Sequence, residues 1–478
     1  MPNKRIHLCT LLLTISGLWS TSASADRITL RTTKTIGETI TITLNANVQS
    51  TIKWGDESTQ EVFFDGTPVD LCLVTDTLTL MTTAPITTLD VADCGLQTLN
   101  LTRATAIEAL SCADNELQTL SVTSLRKLRS LDCSGNRLTS LALYNCSELN
   151  SLNCAGNRLE SLSLSGNARL QTLICNENKL QKIDLNKQAD LRFLWIQDNE
   201  LTQLDISRNP ELRTLLASGN ELNRLTVDKA ENMQELWIDR NDFDSLNIKP
   251  MTNIVRLSAD RNRLRQITYY HYYKRNLKYC YLQENALAYN SFPAVYDKSA
   301  GEVKIHSTLV PQAPIELPDH IFMGENLDIS ALVKNCAGNT SINPVFVWKK
   351  SGTDETLTEN TDYKRTGKGK YTFLTAPGFV YAVITAPEFP GIELTTGIVN
   401  VADPTGIRPT ATDNDLQLNA SAGTLTVRTT RTMQLTICTV GGSVIAGGTY
   451  PGGTHQWNLQ PGIYVVNGKK ITIPSHNL

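Results

Sequence analysis

Leu128-Arg-Ser-Leu131-Asp-Cys133-Ser-Gly-Asn136-Arg-Leu138-Thr-Ser-Leu141-Ala-Leu143 decides the fold, because the chain repeats this sentence through its first half. Asparagine returns at Asn115, Asn136, Asn157, Asn178, Asn199, Asn220, Asn241 and Asn262, each step 21 residues long. Cys94 holds the same slot one period earlier, and Asn285 holds it again after a step of 23. Five residues before this slot stands a leucine, from Leu89 through Leu110 and Leu131 to Leu257. Two residues after it stands another, from Leu96 to Leu287, with Phe243 the exception. A fixed period of this size means repeats stacked into a solenoid, each burying its apolar residues against its neighbours.

The unit, L-x-x-L-x-(C/I/A)-x-x-N-x-L-x-x-L-x-(L/V/I), resembles the leucine-rich repeat, and the chemistry of each slot fits that reading. The x-L-x-C-x segment is a short strand with alternate residues turned inward. Stacked units pair these strands into a parallel sheet on one side of a curved rod. The asparagine stands where the chain leaves the strand, where its amide can satisfy backbone groups that no ladder reaches. The second half of each unit echoes the first and supplies the return pass. The fold expected is mainly β: a solenoid of about ten units over residues 86–291.

Upstream, Lys4, Arg5 and His7 precede the apolar run Leu8 to Trp19, and Ala23-Ser24-Ala25 forms an A-x-A site. Residues 1–25 read as a secretory signal peptide cut between Ala25 and Asp26. That run is too short for a permanent span, and no later stretch is long enough for a transmembrane helix. Export without a transmembrane segment follows. Net charge is −3 with no basic cluster, which argues against nucleic acid and anionic membrane as partners. Residues 26–85 are rich in threonine and β-branched residues. Thr39 to Leu44 and Leu73 to Leu80 alternate as strands do, and Trp54-Gly55-Asp56 is a tight turn after a strand. With that turn, the segment resembles the β-rich cap that precedes the repeats of many exported bacterial leucine-rich proteins, which implies that it covers the first unit.

Cys112, Cys133, Cys154 and Cys175 occupy one inward slot of four consecutive units, later filled by Ile196, Ala217, Ile238 and Ala259. A slot shared with Ile and Ala is a packing slot, so these thiols act as small hydrophobes. CxxC spacing is absent and no His or Asp shares the inward slot with the thiols, so neither metal nor cofactor is expected. Cys72, Cys146, Cys280, Cys336 and Cys438 look scattered and suggest no pairing. A 21-residue unit with cysteine in the strand and asparagine three residues on is similar to the repeats of internalin J and its relatives. That resemblance covers about 200 residues and implies a non-catalytic surface protein contacting host or neighbouring cells.

Function is legible in the slots the pattern leaves free. The outward slot after the strand leucine reads Asp90, Ser111, Asp132, Asn153, Ile174, Trp195, Leu216, Trp237, Ser258, Tyr281. The slot before that leucine reads Thr88, Ala109, Ser130, Ser151, Thr172, Phe193, Thr214, Glu235, Arg256, Tyr279. Small polar groups give way to a contiguous patch of Ile174, Phe193, Trp195, Leu216 and Trp237 on the concave face. Trp195 and Trp237, two rungs apart, stand roughly 10 Å from each other at a ~4.8 Å strand spacing. Glu235, Asp239, Arg240, Arg256, Asp260 and Arg261 surround them, with Tyr279 and Tyr281 beyond. An apolar centre with a polar rim is the anatomy of a binding site. Packing of the aromatics on one another, or beneath a loop of the C-terminal domain, would explain the same residues.

Tyr269-Tyr270-His271-Tyr272-Tyr273 fills the return pass of the last unit and reads as its closing cap. Residues 292–402 carry turn signals between alternating runs, with strands expected at Val345 to Lys349, Lys370 to Leu374, Val380 to Thr385 and Thr396 to Val401. The Phe346-Val347-Trp348 and Phe379-Val380-Tyr381 strands look like the immunoglobulin-like modules that follow repeats in such proteins. After the linker Asp403 to Arg408, residues 409–478 form a further small β domain. Leu425-Thr426-Val427, Ile437, Gly441-Gly442, Pro461-Gly462-Ile463-Tyr464-Val465-Val466, Gly468-Lys469-Lys470 and Ile471-Thr472-Ile473 resemble the C-terminal sorting domain of type IX secretion substrates. The resemblance implies handling by that secretion machinery and residence at the surface or outer membrane of a Gram-negative bacterium, or release.

The six histidines are dispersed, and H-E-x-x-H, G-x-S-x-G and a phosphate-cradling glycine loop are all missing, so no enzyme is expected. The reading is a surface-exposed adhesion protein that binds a protein or glycan on host or neighbouring bacterial cells through the concave face. The alternative is a structural surface or biofilm component acting by homotypic contacts.

Overall fold

The computed structural model describes residues 26–45, 47–269, 276–292, 296–297, 302–303, 305–333, 343–403, 416–421, 424–430, 432–439, 444–460, 462–467 and 469–473. Residues 1–25 with Ala25, the Tyr270 to Tyr273 cap, Cys336, most of the linker after Asp403 and residues 474–478 lie outside them. The chain divides into two compact units, one ending at Asn285 but including residues 304–308, the other holding the remainder.

The first unit is a leucine-rich-repeat solenoid. Its strands Thr88–Asp90, Ala109–Ser111, Ser130–Asp132, Ser151–Asn153, Thr172–Ile174, Phe193–Trp195, Thr214–Leu216, Glu235–Trp237, Arg256–Ser258 and Tyr279–Tyr281 pair in parallel and in register. The central leucine of every rung is buried, and Cys280 takes that place in the Tyr279–Tyr281 rung. Cys280, which looked scattered, is thus a repeat residue whose thiol replaces a leucine side chain in the same slot. The sheet continues one strand past the asparagine period: His306–Thr308 pairs with Tyr279–Tyr281, placing His306 beside Tyr279 and Thr308 beside Tyr281. Return passes pair as Gln203–Asp205 with Arg224–Thr226 and Ser245–Asn247 with Gln266–Thr268.

Residues 26–85 close the first rung on both of its passes. Thr39–Leu44 pairs antiparallel with Thr88–Asp90, so no unpaired strand edge is left there. Arg27–Thr32 pairs antiparallel with the first return pass, Leu96–Asn100. Trp54 ends the strand Val48–Trp54 and is buried, with Glu57 N–H donating to its carbonyl across the turn at 3.0 Å. The expected strand Leu73 to Leu80 is two strands, Val69–Cys72 and Thr77–Thr82. The break is made by Thr75, whose hydroxyl donates to the Thr77 carbonyl at 2.6 Å and accepts from Gly55 N–H at 2.9 Å. Leucines on either side of this turn keep the alternation that suggested one strand.

Every asparagine of the period is a bridge between units. Asn178 donates from Nδ2 to the carbonyls of Cys154, Cys175 and Asn176, and its Oδ1 accepts the Leu159 N–H at 2.9 Å. Asn136, Asn157 and Asn199 repeat this pattern one unit at a time. Two of those four partners belong to the preceding unit, so the amide ties stacking to turn geometry. At Cys94 no preceding repeat exists, and its thiol instead points to the Thr41 carbonyl of the cap at 3.3 Å. The residue before each slot is left-handed: Asp93, Asp114, Gly135, Gly156, Glu177, Asp198, Gly219, Arg240, Arg261 and Glu284 have φ between 51 and 68°. Most of these are not glycine, and each such residue resists that conformation.

A second bridging slot sits on the return side. Asn167 donates to the carbonyls of Leu143 and Cys146, Gln188 to Leu164, and Asn209 to Leu185 and Gln188. Ala104, Leu125 and Cys146 occupy this slot in earlier units and Ala230 and Met251 in later ones, all buried. Cys146 therefore also belongs to the repeat, as a member of a packing slot that only three consecutive units fill with amides.

In the second unit, one sheet holds His320–Phe322, Val399–Ala402, Gly378–Thr385, Val345–Lys350 and Glu393–Thr395. The other holds Asn326–Asp328, Lys370–Phe373 and Tyr363–Gly367. Trp348 is fully buried and meets Tyr371 and Phe373 of the opposite sheet edge-on at 5.5 and 5.1 Å. The strand expected from Thr396 to Val401 starts later, at Val399. Thr396 Oγ1 accepts the Ala382 N–H and Gly397 N–H donates to the Ile315 carbonyl, which pulls the backbone off the ladder. Further along, two small antiparallel sheets enclose a core of Leu425, Val427, Leu435, Ile437, Tyr464, Val466 and neighbours.

Replacing Asn178 by alanine removes four hydrogen bonds and leaves buried backbone groups unpaired. The expected loss is on the order of 3 kcal/mol, read as a lower urea midpoint of the repeat unit. The same change at the half-buried Asn176, whose side chain reaches only the exposed Glu177 at 3.2 Å, is expected to stay within roughly 0.5 kcal/mol.

Candidate functional site

The period brings all ten expected ligand-facing residues to one region of the ladder. One column runs Ile174, Trp195, Leu216, Trp237, Ser258, Tyr281, and the other runs Thr172, Phe193, Thr214, Glu235, Arg256, Tyr279. Each strand is three residues long with its central residue buried, so the outer two side chains leave on the opposite face. Phe193 and Trp195 are each 40% exposed, while Ile174, Leu216, Trp237, Tyr279 and Tyr281 are half-buried among their neighbours. Asp239 is half-buried one turn beyond Trp237.

The polar end of the same face satisfies itself. Asn153 donates to Asp132 Oδ2 at 3.0 Å and to the Ser134 hydroxyl at 3.2 Å, and Asp132 Oδ1 accepts from Ser134. Hydrogen bonds of this kind leave little unmet demand. The apolar end has none, and its aromatic surface meets solvent instead.

Past Trp237 the face becomes a stack. The Arg256 guanidinium lies 4.6 Å from the centroid of Tyr279 and 5.7 Å from that of Trp237, and its Nη1 is 3.7 Å from Glu235 Oε1. Tyr279 stacks in turn on His306 at 5.5 Å and 19°. Cation–π contacts of this exposure contribute about 0.5–1 kcal/mol each. The Trp237 indole N–H is buried without an acceptor in the structure. His306 was missed in the sequence because the ladder resumes there after the period has ended.

An acidic row lines the exit ends of these strands. Ser218 Oγ donates to Asp239 Oδ1 at 2.5 Å, and Ser258 Oγ donates to Asp260 Oδ1 at 3.0 Å. Burial pushes the Asp260 carboxyl up, Ser258 partly opposes this, and the nearby Asp239 charge adds to it. Gly219 lies between Asp198 and Arg240, whose carboxylate and guanidinium stand 3.6 Å apart; a Cβ on Gly219 would fall 2.3 Å from Asp198 Oδ1. Among the described residues no group of three or more His, Cys, Asp or Glu could hold a metal ion, and no helix is long and apolar enough to cross a membrane.

The thiols of Cys112, Cys133, Cys154 and Cys175 are fully buried and unpaired. Burial pushes the Cys112 thiol up to about 12 and the other three upward as well, with neighbouring thiols adding to the shift at Cys133. They are packing groups in the ladder interior.

No family model matches the sequence, and no curated protein does. Among solved structures, the functional domain of InlJ from Listeria monocytogenes, described as including a cysteine ladder, is 18% identical. The match covers 65% of this chain and 71% of that one with a TM-score of 0.44. YopM from Yersinia enterocolitica WA-314 is 20% identical, over 48% of this chain and 57% of that one, with a TM-score of 0.37.

A thiol near 9 in the unfolded chain and about 12 when folded ionises first in the unfolded state. Stability from these groups is therefore complete below pH ~9 and is lost as pH rises from there toward 12. Urea midpoints are expected to stay level from pH 7 to about 8.5 and to fall beyond it. Native protein at pH 8 is expected to leave the four ladder cysteines unmodified by iodoacetamide, with all four labelled after unfolding; peptide mass spectrometry reads the outcome.

Proposed function

We propose that this chain is a non-catalytic interaction protein that binds a partner protein through the ladder face between Ile174 and Tyr281. Leucine-rich solenoids as a class present extended faces of this kind to partners. The observation that carries the proposal is the contrast along a single face. The rungs around Asp132 and Asn153 are mutually hydrogen-bonded, while those around Phe193 and Trp195 hold large rings open to solvent. An exposed apolar group of this size has a solubility cost that a partner would remove. Aliphatic Ile174 and Leu216 beside the rings suit protein side chains better than sugar rings. Tryptophan, tyrosine and arginine are also the residues that most often dominate binding energy.

The same proposal extends to an exported, surface-attached or released protein. Asp26 supports cutting at the Ala25–Asp26 bond, because its carboxylate accepts the Ile86 N–H at 2.7 Å and its carbonyl accepts the Thr82 N–H at 3.0 Å. A body beginning at Asp26 keeps both bonds. The C-terminal β module would serve as the sorting signal.

The mature chain is tested beside its Trp195→Ala/Trp237→Ala form on arrays of host-matrix and bacterial-surface proteins and glycans, and for self-association by analytical ultracentrifugation. The parent is expected to retain a protein partner that the double variant binds roughly tenfold or more weakly. Equal retention by both forms contradicts the assignment. In the producing bacterium, removal of residues 409–478 is expected to leave the protein inside the outer membrane; unchanged surface display would contradict the sorting role.

A further inference from the structure

Resting on the ladder-face reading above, we infer that the partner presents carboxylates next to its apolar contact residues, and that Arg192 and Arg213 receive them. These two arginines immediately precede the outward residues Phe193 and Thr214, at the entry end of adjacent strands. They are held side by side by the ladder itself, Arg213 N–H donating to the Arg192 carbonyl at 2.9 Å. Both side chains are exposed. In the same slot three units before Arg192, Arg129 is paired with Glu108 at 3.7 Å, and on the face itself Arg256 is paired with Glu235 at 3.7 Å. Neither Arg192 nor Arg213 has an ion-pair partner among the described residues. Two like charges on neighbouring rungs oppose the fold, and no ion pair among the described residues offsets them.

Their place on the face gives the pair a direction. Arg192 and Arg213 stand at the entry ends of the strands Phe193–Trp195 and Thr214–Leu216. The exit side carries Asp239 and Asp260, and its cations are already paired, Arg240 with Asp198 and Asp239 and Arg261 with Glu284. A segment lying along the strands would therefore find unpaired positive charge at one edge and paired charge at the other, with the rings between. Guanidinium pairs take carboxylates in bidentate geometry and are stronger than neutral contacts. Acidic residues beside the segment's apolar centre fit the entry edge, whereas at the exit edge Arg240 and Arg261 are already engaged by Asp198, Asp239 and Glu284. A sulfated or carboxylated glycan would also meet the arginines, but it would leave Ile174 and Leu216 without a match.

The test uses the full mature chain and two synthetic peptides sharing a Leu-Trp-Leu centre, one tipped with two glutamates and one with two glutamines, followed by fluorescence anisotropy. Heparin serves as the polyanion probe. The acid-tipped peptide is expected to bind the parent about tenfold tighter, an advantage that falls with added salt. R192Q/R213Q is expected to lose most of that advantage while binding the glutamine-tipped peptide as the parent does. Its melting temperature is expected to be unchanged or higher, since a repulsion is removed. Equal affinity of the two peptides for the parent, an advantage that survives R192Q/R213Q, or failure of both peptides to bind at millimolar concentration overturns the inference. So does heparin binding that depends on the arginines and ignores Trp195→Ala. Trp195→Ala separates the two claims: it should weaken both peptides, and if it changes neither while the arginine effect persists, the ladder-face reading fails and the arginine pair stands alone.

Discussion

One side-chain amide per repeat holds this solenoid in register. Each asparagine of the period satisfies carbonyls of its own turn, a carbonyl of the unit before, and an N–H of that same preceding unit. All of these groups are buried where the chain leaves the strand, beyond the reach of the sheet's hydrogen bonds. A buried group left unpaired costs about 1–3 kcal/mol, so the arrangement admits one stacking geometry and excludes slipped ones. The left-handed residue before each asparagine is the local consequence, since the turn must aim the amide across the gap between units. The strain at non-glycine positions such as Glu177 and Arg240 is supported by four hydrogen bonds one residue later.

Register is also what makes a face. With strands three residues long and the centre of each buried, a slip of one residue would exchange interior and exterior over the whole ladder. Because the amides forbid it, Trp195, Leu216 and Trp237 arrive in one column and Phe193, Glu235, Arg256 and Tyr279 in the next. The rings are then arranged by contacts within the face: the Arg256 guanidinium rests on Tyr279 and Trp237, and His306 extends the stack by one strand. A rigid, pre-ordered aromatic surface loses little conformational freedom on binding.

Most of the solenoid could be read from the sequence because each slot tolerates few side chains. The leucines, the asparagines and the two outward columns were all fixed by counting 21. Other features were not legible, for definite reasons. Asn167, Gln188 and Asn209 bridge units on the return side, but Ala104, Leu125, Cys146, Ala230 and Met251 share their slot, so no single residue type marks it. His306–Thr308 joins the sheet with Ser307 where a leucine would announce a rung. Alternation placed Trp195 and Trp237 on the same face but could not say that Trp195 stays open while Trp237 tucks against Arg256. The unpaired state of Arg192 and Arg213 is likewise a matter of distances.

The amide bridges are tested most directly by residue-resolved hydrogen exchange of the native chain. Leu138, Leu159, Leu180 and Leu201 donate their N–H groups only to the asparagine of the following unit. If those side chains set the stacking, the four amides exchange as slowly as the strand amides of Leu152 and Leu173, at 21-residue intervals. Exchange at the rate of open loops, with the strand amides still protected, would show that the sheet alone holds the units together.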